Sequence, residues 1–551
     1  MSTAATEEPY AGEAWTAEEA EVLRRYFTNL EGPVFALVNL PEVVKGALFA
    51  RYSRSAKALR RLFLDEFVGD LDVSGDQGLD ATVGLARAEE LYERVFYEYG
   101  DDSVAQLGGV HLACEQVSNL LTKVLERGRV MSYMEKSTRY VAYDTRLPGG
   151  HYRYYRSPEV LASSLGARYV GDMDRLFDTY GEVLRAVHEW YGRQPLAPGL
   201  EADLAYRRAL RAKAYDAVRG LLPAAATSNV GIYGSGQAYE ALILRLRSHP
   251  LPEARAYAEL MLAELRKVIP SWVRRLDVAD RGVAWAQYLR ATRAAMAQTA
   301  PALLGEGERV PPPGARSPEV RLVDYDPLGE EKVVAAMLYP YSALPYEEVA
   351  ARVASMSPGE RLAVMRAYAG ERRNRRHRPG RALEQTAYRF EVTSDYGAFR
   401  DLQRHRFLTI EWQALTPYHG YSMPVAVAEA GGERAFAGAM ERSGELYEAL
   451  LPELGADIAA YAVTLAHRVR YAICMNAREA MHVLELRTTP QGHPEYRQVC
   501  QEMHRLIGEE AGHAAIAQMM SFVDRSPSSE LSFGRLEAER RAGARRGGGH
   551  L

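Results

Sequence analysis

The chain has 551 residues, a formal net charge of −4, and apolar and charged fractions of 47% and 25%, the profile of a globular protein too long for one ordinary core. The small net charge gives no global reason to expect nucleic acid as a partner, and the three cysteines, Cys114, Cys474 and Cys500, form no CxxC and suggest neither a disulfide framework nor a zinc site. No apolar run approaches the roughly 20 residues of a membrane span, and the start, MSTAATEEPYAGEAW, has neither the basic opening nor the apolar segment of a signal peptide, so a cytoplasmic location is expected.

Residues 1–20 are small and acidic and read as a disordered terminus. Helical periodicity then dominates a first domain expected over 21–304. The stretch LEGPVFALVNLPEVVKGALFARYSRSAKALRRLFLDEF reads as two amphipathic helices broken near Pro41. A linker is expected over 305–319, where the proline triplet of GEGERVPPPGARS cannot continue a helix. VRLVDYDP then predicts a short alternating strand, followed by a helix from about Glu330 in a second domain expected over 320–530. The tail, 531–551, is basic and glycine-rich and reads as mobile.

The densest chemistry lies at Arg127–Tyr140, RGRVMSYMEKSTRY, with three arginines, one glutamate and two serines in fourteen residues. Fork-shaped guanidinium groups beside small hydroxyls suit a bound anion; the competing reading is a solvated basic turn. Ser137 and Arg139 lie two apart, so an extended segment can aim both at one phosphate. A partial echo appears downstream: Arg404-His405-Arg406 aligns with Arg127-Gly128-Arg129, each at the end of a helical run. Further on, Gly234–Arg255 aligns without gaps on Asn476–Arg497, matching Arg245 with Arg487, Glu253 with Glu495 and Arg255 with Arg497. The two halves therefore read as one α+β domain repeated, helix-rich with a small sheet in each. Extra residues in the first half are expected within Arg146–Arg207, as a loop or helix.

These residues resemble the flavin-dependent thymidylate synthases, whose signature is Arg-His-Arg-x-x-Ser-x-Asn-Glu-x-Ser-x-Arg. The first half supplies Arg127, Arg129, Ser132, Glu135, Ser137, Arg139 and Tyr140, with Gly128 and Met134 where His and Asn belong. Ser103 fits the lead-in segment, while Gln106 and Leu107 stand for its Glu and His. The second half keeps Arg404, His405 and Arg406, and Glu384 falls near the expected upstream Glu. There Thr409, Glu411, Trp412, Ala414 and Thr416 replace the signature's Ser, Asn, Glu, Ser and Arg. The later Asn-Ala-Arg pattern survives as Asn476, Arg478, His482, Arg487, Glu495 and Arg497, whereas the first half has Gly234-Ser235-Gly236 in that place but keeps Arg219 to Pro223, with Tyr461 opposite Arg219.

The resemblance implies that Arg139, Glu135, Arg219, Arg127 and Arg129 bind a nucleotide substrate, and that Ser137 and Arg245 serve catalysis. It assigns Arg404, His405, Arg406, Asn476, Arg478 and His482 to the cofactor. Other readings stay open: Arg139 can form an interface salt bridge, Arg245 can pair with Glu240 or Glu253 along its helix, His405 can cap a helix end, and His482 can be a satisfied core histidine. Glu510 and His513 form one ExxH without a second copy, so no metal site is expected. The implied activity is methylation of dUMP to dTMP with FAD, NADPH and methylenetetrahydrofolate, in sites composed from both copies, and the implied assembly is a homodimer forming a pseudo-tetramer. Gly128 and Met134 also admit C5 modification of another pyrimidine nucleotide. A general flavin oxidoreductase and a non-catalytic nucleotide-binding relative remain as further alternatives.

Overall fold

A computed structural model describes residues 14–32, 35–52, 55, 57–66, 106–138, 141–194, 204–305 and 318–527. Ser103, Arg139, Tyr140, nearly all of the expected linker, the basic tail and most of the expected disordered terminus lie outside the described residues. No helix among the described residues is long and apolar enough to cross a membrane.

The chain divides into two compact units that do not follow the linker. The first takes 1–115, 130–134 and 230–305; the second takes 116–129, 135–229 and 306–551. In the first unit, α1 (Ala17–Tyr26) opens on a capping box in which Thr16 and Glu19 satisfy each other's backbone N–H. Both helices of the next apolar stretch, α2 (Glu42–Tyr52) and α3 (Leu59–Glu66), follow Pro41, so the expected break near that proline is instead the start of the first helix. Ahead of Pro41 the chain is irregular, with an isolated bridge between Phe27 and Leu37 and Asn39 at φ 56°. Strands β1 (Gly109–Ser118), β2 (Met131–Glu135) and β3 (Thr227–Ser235) form a sheet of order β1-β3-β2.

The second unit opens with α4 (Asn119–Leu125), capped by Ser118, whose hydroxyl accepts from Leu121 N at 3.0 Å. Then come α5 (Gly166–Arg193), inside the region where extra residues were expected, and α6 (Leu204–Val218), most of which lies past its end at Arg207. On α5, Tyr169, Met173, Phe177, Tyr180, Leu184, Val187 and Tyr191 recur at helical spacing and are buried.

The chain returns from the first unit's α7 (Gly236–Arg247), α8 (Pro252–Val268) and α9 (Ala284–Leu304) to β4 (Glu319–Tyr325) and α10 (Gly329–Leu338), close to the expected strand and helix. Helices α11 (Tyr346–Ala354) and α12 (Pro358–Ala369) lead to β5 (Ala387–Asp395), α13 (Tyr396–Gln403), β6 (Thr409–Trp412), α14 (Glu433–Leu454), β7 (Arg468–Asn476), α15 (Ala477–Arg487) and α16 (Pro494–Glu509). The antiparallel sheet has the order β4-β5-β7-β6, with Phe390 opposite Ile473 and Ile410 opposite Ile473 on the other edge. Helices α5 and α14 pack together, and Val183 and Leu184 on the one and Phe436 and Met440 on the other are buried.

A local two-fold relation joins the copies inside this unit. Aligned segments 219–226 and 461–468 pair antiparallel: Leu465 N donates to Leu222 O at 2.9 Å, and Pro223 bridges Thr464. Leu222 is the counterpart of Thr464 and Pro223 that of Leu465, so each residue meets its neighbour's image, the pattern of an isologous contact.

Candidate functional site

The arginine motifs of the two copies meet in the second unit. Asp395 caps α13, its carboxylate accepting from Ala398 N at 2.5 Å. The helix carries Arg400 and ends at Arg404, one turn on and on the same face. Both reach Glu135 of the first copy: Arg400 Nη2 donates to one carboxylate oxygen at 2.5 Å and Arg404 Nη2 to the other at 2.5 Å. Lys123 Nζ, itself buried and paired with Glu126, lies 3.3 Å from the second oxygen. Burial works to raise the Glu135 carboxyl, but Arg400, Lys123 and Arg404 outweigh it and hold the group well below the usual carboxylate range. Gln403 Nε2 also donates to Lys123 O at 3.0 Å, fixing α13 against α4.

The reverse exchange places Arg127 on the second copy. Its Nη2 pairs with Glu411 at 2.6 Å, and its guanidinium lies 5.0 Å from the ring centre of Trp412, the residue aligned with Glu135. Arg129 Nη2 donates to Thr409 Oγ1 at 2.9 Å. Arg127 and Arg129 therefore brace β6.

Arg219 is buried, with Nη1 3.3 Å from Asp216 and 3.2 Å from Asp401. It packs close to Gly397, where an added Cβ would stand 3.1 Å from its Nε. From the other side, Arg487 Nη2 donates to Asp401 O at 2.6 Å, and its Nε donates to His405 Nε2 at 2.8 Å.

This contact fixes the proton on His405. Arginine cannot accept a hydrogen bond, so His405 Nε2 carries the lone pair and Nδ1 carries the proton, 3.7 Å from Glu479 Oε1. The same logic applies to His482, whose ring lies 5.4 Å from that of His405 and whose Nδ1 takes a bond from Arg378 Nη2 at 3.0 Å. Its proton is then on Nε2. Burial first, then Arg487 and His482, lowers the His405 pKa well below the ordinary imidazole value. Burial, Arg378 and Arg375 push His482 down to about 4. Burial raises Glu479 to about 7, with Arg378 and Arg478 offsetting part of the effect.

His405, Glu479 and His482 lie close enough to ligate a cation, with ligand atoms within 4.8 Å of one another. The donor chemistry does not fit one: each imidazole has spent its lone pair on an arginine and presents an N–H. The cluster is built to donate, and it sits among Arg378, Arg478 and Arg487.

Arg478 is one turn before His482 on α15 and donates to Pro379 O at 3.2 Å and to Glu384 at 3.1 Å. Asn476 caps α15, its carboxamide oxygen accepting from Glu479 N at 2.9 Å. Arg406 is exposed just beyond α13 and Ser137 is half-buried beyond β2. Arg245 belongs to the first unit, half-buried on α7; Glu240, one of the carboxylates its spacing offers, pairs with Arg275. The second unit thus gathers Glu135, Arg404, His405, Arg219, His482 and Arg478 into a connected charge network. A cavity of about 680 Å³ elsewhere in the same unit is bordered by Val320, Gln501, His504 and Arg505, and Arg505 pairs with Glu502 and Glu509.

Five members of the network escaped the sequence reading: Lys123, Arg378, Arg400, Asp401 and Glu479. Helical spacing held a signal for three of them. Arg400 and Asp401 precede Arg404 and His405 by four residues, and Glu479 precedes His482 by three, spacings that share a helix face. Lys123 and Arg378 carried no such cue.

Comparison with known proteins places this arrangement in context. The family model described as thymidylate synthase complementing protein matches residues 50–271 and 321–511. A UPF0159 protein of Chlamydia muridarum is 40% identical over 538 residues, covering 96% of this chain and 98% of its own length. A UPF0159 protein of Thermoplasma acidophilum is 33% identical over 530 residues, covering 92% of this chain and 99% of its own. Among solved structures, the UMP/dUMP methylase PolB from Streptomyces cacaoi, bound with 5-Br UMP, is 21% identical over 39% of this chain and 100% of that one, with a TM-score of 0.30. Thymidylate Synthase X from Helicobacter pylori, with FAD and dUMP, is 16% identical over 37% and 99%, with a TM-score of 0.28.

Proposed function

We propose, from the premise that this chain belongs to the thymidylate synthase complementing protein family, that it methylates dUMP to dTMP with methylenetetrahydrofolate as carbon donor, in a site composed from both copies. The observation that carries the reading is the exchange at Glu135: a residue of the first copy's nucleotide motif is gripped by the second copy's Arg400 and Arg404. By the resemblance, the first copy keeps Glu135, Ser137 and Arg139 of the nucleotide end, and the second keeps Arg404, His405 and Arg406 of the cofactor end. The exchange joins a glutamate of the first copy's motif to two arginines of the second copy.

The donor set fits a flavin dinucleotide. Its pyrophosphate is anionic and its ring edge is rich in acceptors, while Arg404, Arg478, His482 Nε2–H and Arg378 all donate. A bound FAD, reduced by NADPH, would supply hydride to the site these residues form. The chain's own work is binding and electrostatics. Glu135 holds Arg404 at a fixed angle. Ser137 and Arg139 hold the phosphate. Arg487, the counterpart of Arg245, presents a permanent positive charge beside neutral His405, able to stabilise negative charge developing on a bound pyrimidine. The proposed location is the cytoplasm, and the proposed assembly is a homodimer that rebuilds a four-copy arrangement.

The test is to incubate the protein with dUMP, FAD, NADPH and methylenetetrahydrofolate and to separate the nucleotides. Formation of dTMP that needs every component supports the reading. Turnover of another pyrimidine nucleotide in place of dUMP would redirect it to the substrate variant that Gly128 and Met134 allow.

A further inference from the structure

Six arginines fall within Arg372–Arg381, shortly after α12. The turn they form is tied down at its base. Arg372 is sealed, with 4% of its side chain exposed, and its two Nη atoms donate to the two oxygens of Glu485 at 2.6 Å each. Its Nη1 also donates to Met519 O at 2.7 Å, and its Nε donates to His377 O at 2.7 Å, which closes the loop on its own anchor. Asn374 shapes the turn: its side-chain oxygen accepts from Arg376 N at 2.9 Å, and its carbonyl accepts from His377 N at 3.0 Å. The arginines that this frame holds outward are not neutralised. Arg375 is half-buried and Arg376 exposed, and neither side chain meets a carboxylate among the described residues. Arg373 has Glu371 at 3.4 Å, but these side chains are 75% and 78% exposed, and such a pair is worth little in water. Arg378 donates to His482 Nδ1 at 3.0 Å and so joins the turn to the donor cluster. After burial and Arg378, Arg375 is the next cause of the lowered His482 pKa, so its charge is felt there too. Like charges held side by side repel by roughly 1 kcal/mol per pair at 4 Å even in water, and a bound anion relieves that repulsion.

We infer that Arg375 and Arg376, with Arg373 beside them, form a subsite for a phosphomonoester, and that the group it takes is the 2′-phosphate of NADPH. This rests on the proposed function and deepens it. In that reaction two reactants carry a phosphomonoester. One is dUMP, whose phosphate goes to Ser137 and Arg139. The other is NADPH, whose 2′-phosphate has no partner among the residues assigned to the nucleotide or the flavin. The flavin pyrophosphate takes Arg404, Arg478 and Arg378, which leaves the outer arginines of the turn for a further anion. A phosphomonoester carries nearly two negative charges at neutral pH and pairs bidentately with guanidinium, so it suits neighbouring arginines that lack an acid. NADH has a hydroxyl in place of that phosphate and gains no charge pairing. The turn thereby selects the phosphorylated dinucleotide, as an arginine beside a ribose 2′-phosphate does elsewhere.

The test titrates NADP+ and NAD+ into the full-length wild type and the Arg375→Gln/Arg376→Gln double variant, reading affinity by calorimetry. The wild type is expected to bind NADP+ roughly tenfold more tightly than NAD+. The double variant is expected to bring the two within about twofold of each other, by weakening NADP+ and leaving NAD+ unchanged. Equal affinities in the wild type, binding of neither dinucleotide, or a preference that survives in the double variant each overturn the inference. Should the double variant not fold, Arg376→Gln alone decides: a smaller NADP+ preference supports the subsite, and an unchanged one overturns it. Product analysis separates this inference from the proposed function. If dTMP forms equally well with NADPH and with NADH, the subsite falls and the synthase reading stands. If no dTMP forms with either, while an NADP+ preference that needs Arg375 and Arg376 is measured, the synthase reading falls and the subsite stands.

Discussion

Glu135 shows how a single residue can tie sequence motif to assembly. Its carboxylate is fully buried and balances Arg400, Arg404 and Lys123. Glu135→Gln removes that balance while keeping the volume, leaving buried cations without their counter-charge, a loss on the order of 3–5 kcal/mol. The melting temperature should fall and activity should vanish; a variant as stable as wild type would show that the cations relax into solvent. Glu479 makes a prediction in pH. Its carboxyl is raised to about 7 by burial in the folded protein, against an ordinary value near 4.3 in the unfolded chain. Between those values the folded state holds more protons than the unfolded state, so this group's contribution to stability falls as pH rises from about 5 to above 7. Glu479→Gln should abolish that loss. Its melting temperature relative to wild type should therefore climb with pH across this window, and a constant difference would refute the burial argument.

At the scale of elements, the repeat is expressed as interlocked helices and a paired loop. Helices α4 and α13 carry equivalent motifs and are tied by Gln403 of α13 donating to Lys123 O of α4, and segments 219–226 and 461–468 exchange backbone hydrogen bonds across a local two-fold. Gly220 is at the crossing: an added Cβ would stand 3.0 Å from that of Ala466. Gly220→Val should therefore overpack the crossing and cost about 1–3 kcal/mol, read as a lower melting temperature; no change would mean the pairing is loose. Much of this level was legible in the sequence. The helical runs ending at the Arg-x-Arg pairs and the strand before Glu330 follow from periodicity, and alignment puts extra residues within Arg146–Arg207 without deciding between a loop and a helix. The destinations of Arg127, Arg129 and Arg219 do not. A guanidinium's partner is chosen by tertiary packing, and Glu411, Trp412, Thr409 and Asp401 lie hundreds of residues away. Pro41 misled in a different way: proline ends a helix from within but is equally at home just before one.

At the scale of the whole molecule, the proposed function has two diverged copies acting as one. Each has lost what the other retains, so a lesion in either should silence the same activity. Arg139→Ala in the first copy and His405→Ala in the second should each abolish turnover, and the double variant should be no worse than either single one, as expected of residues that act as a unit. Separate, additive losses would mean two independent sites. The most direct measurement is the visible absorbance of the protein loaded with FAD, recorded while dUMP is added to the wild type, Arg139→Ala and His405→Ala. The account predicts a flavin band in the wild type that shifts on nucleotide binding, and no nucleotide-dependent shift in either variant. A protein that takes up no flavin, or a flavin band indifferent to dUMP in the wild type, would contradict a shared composite site.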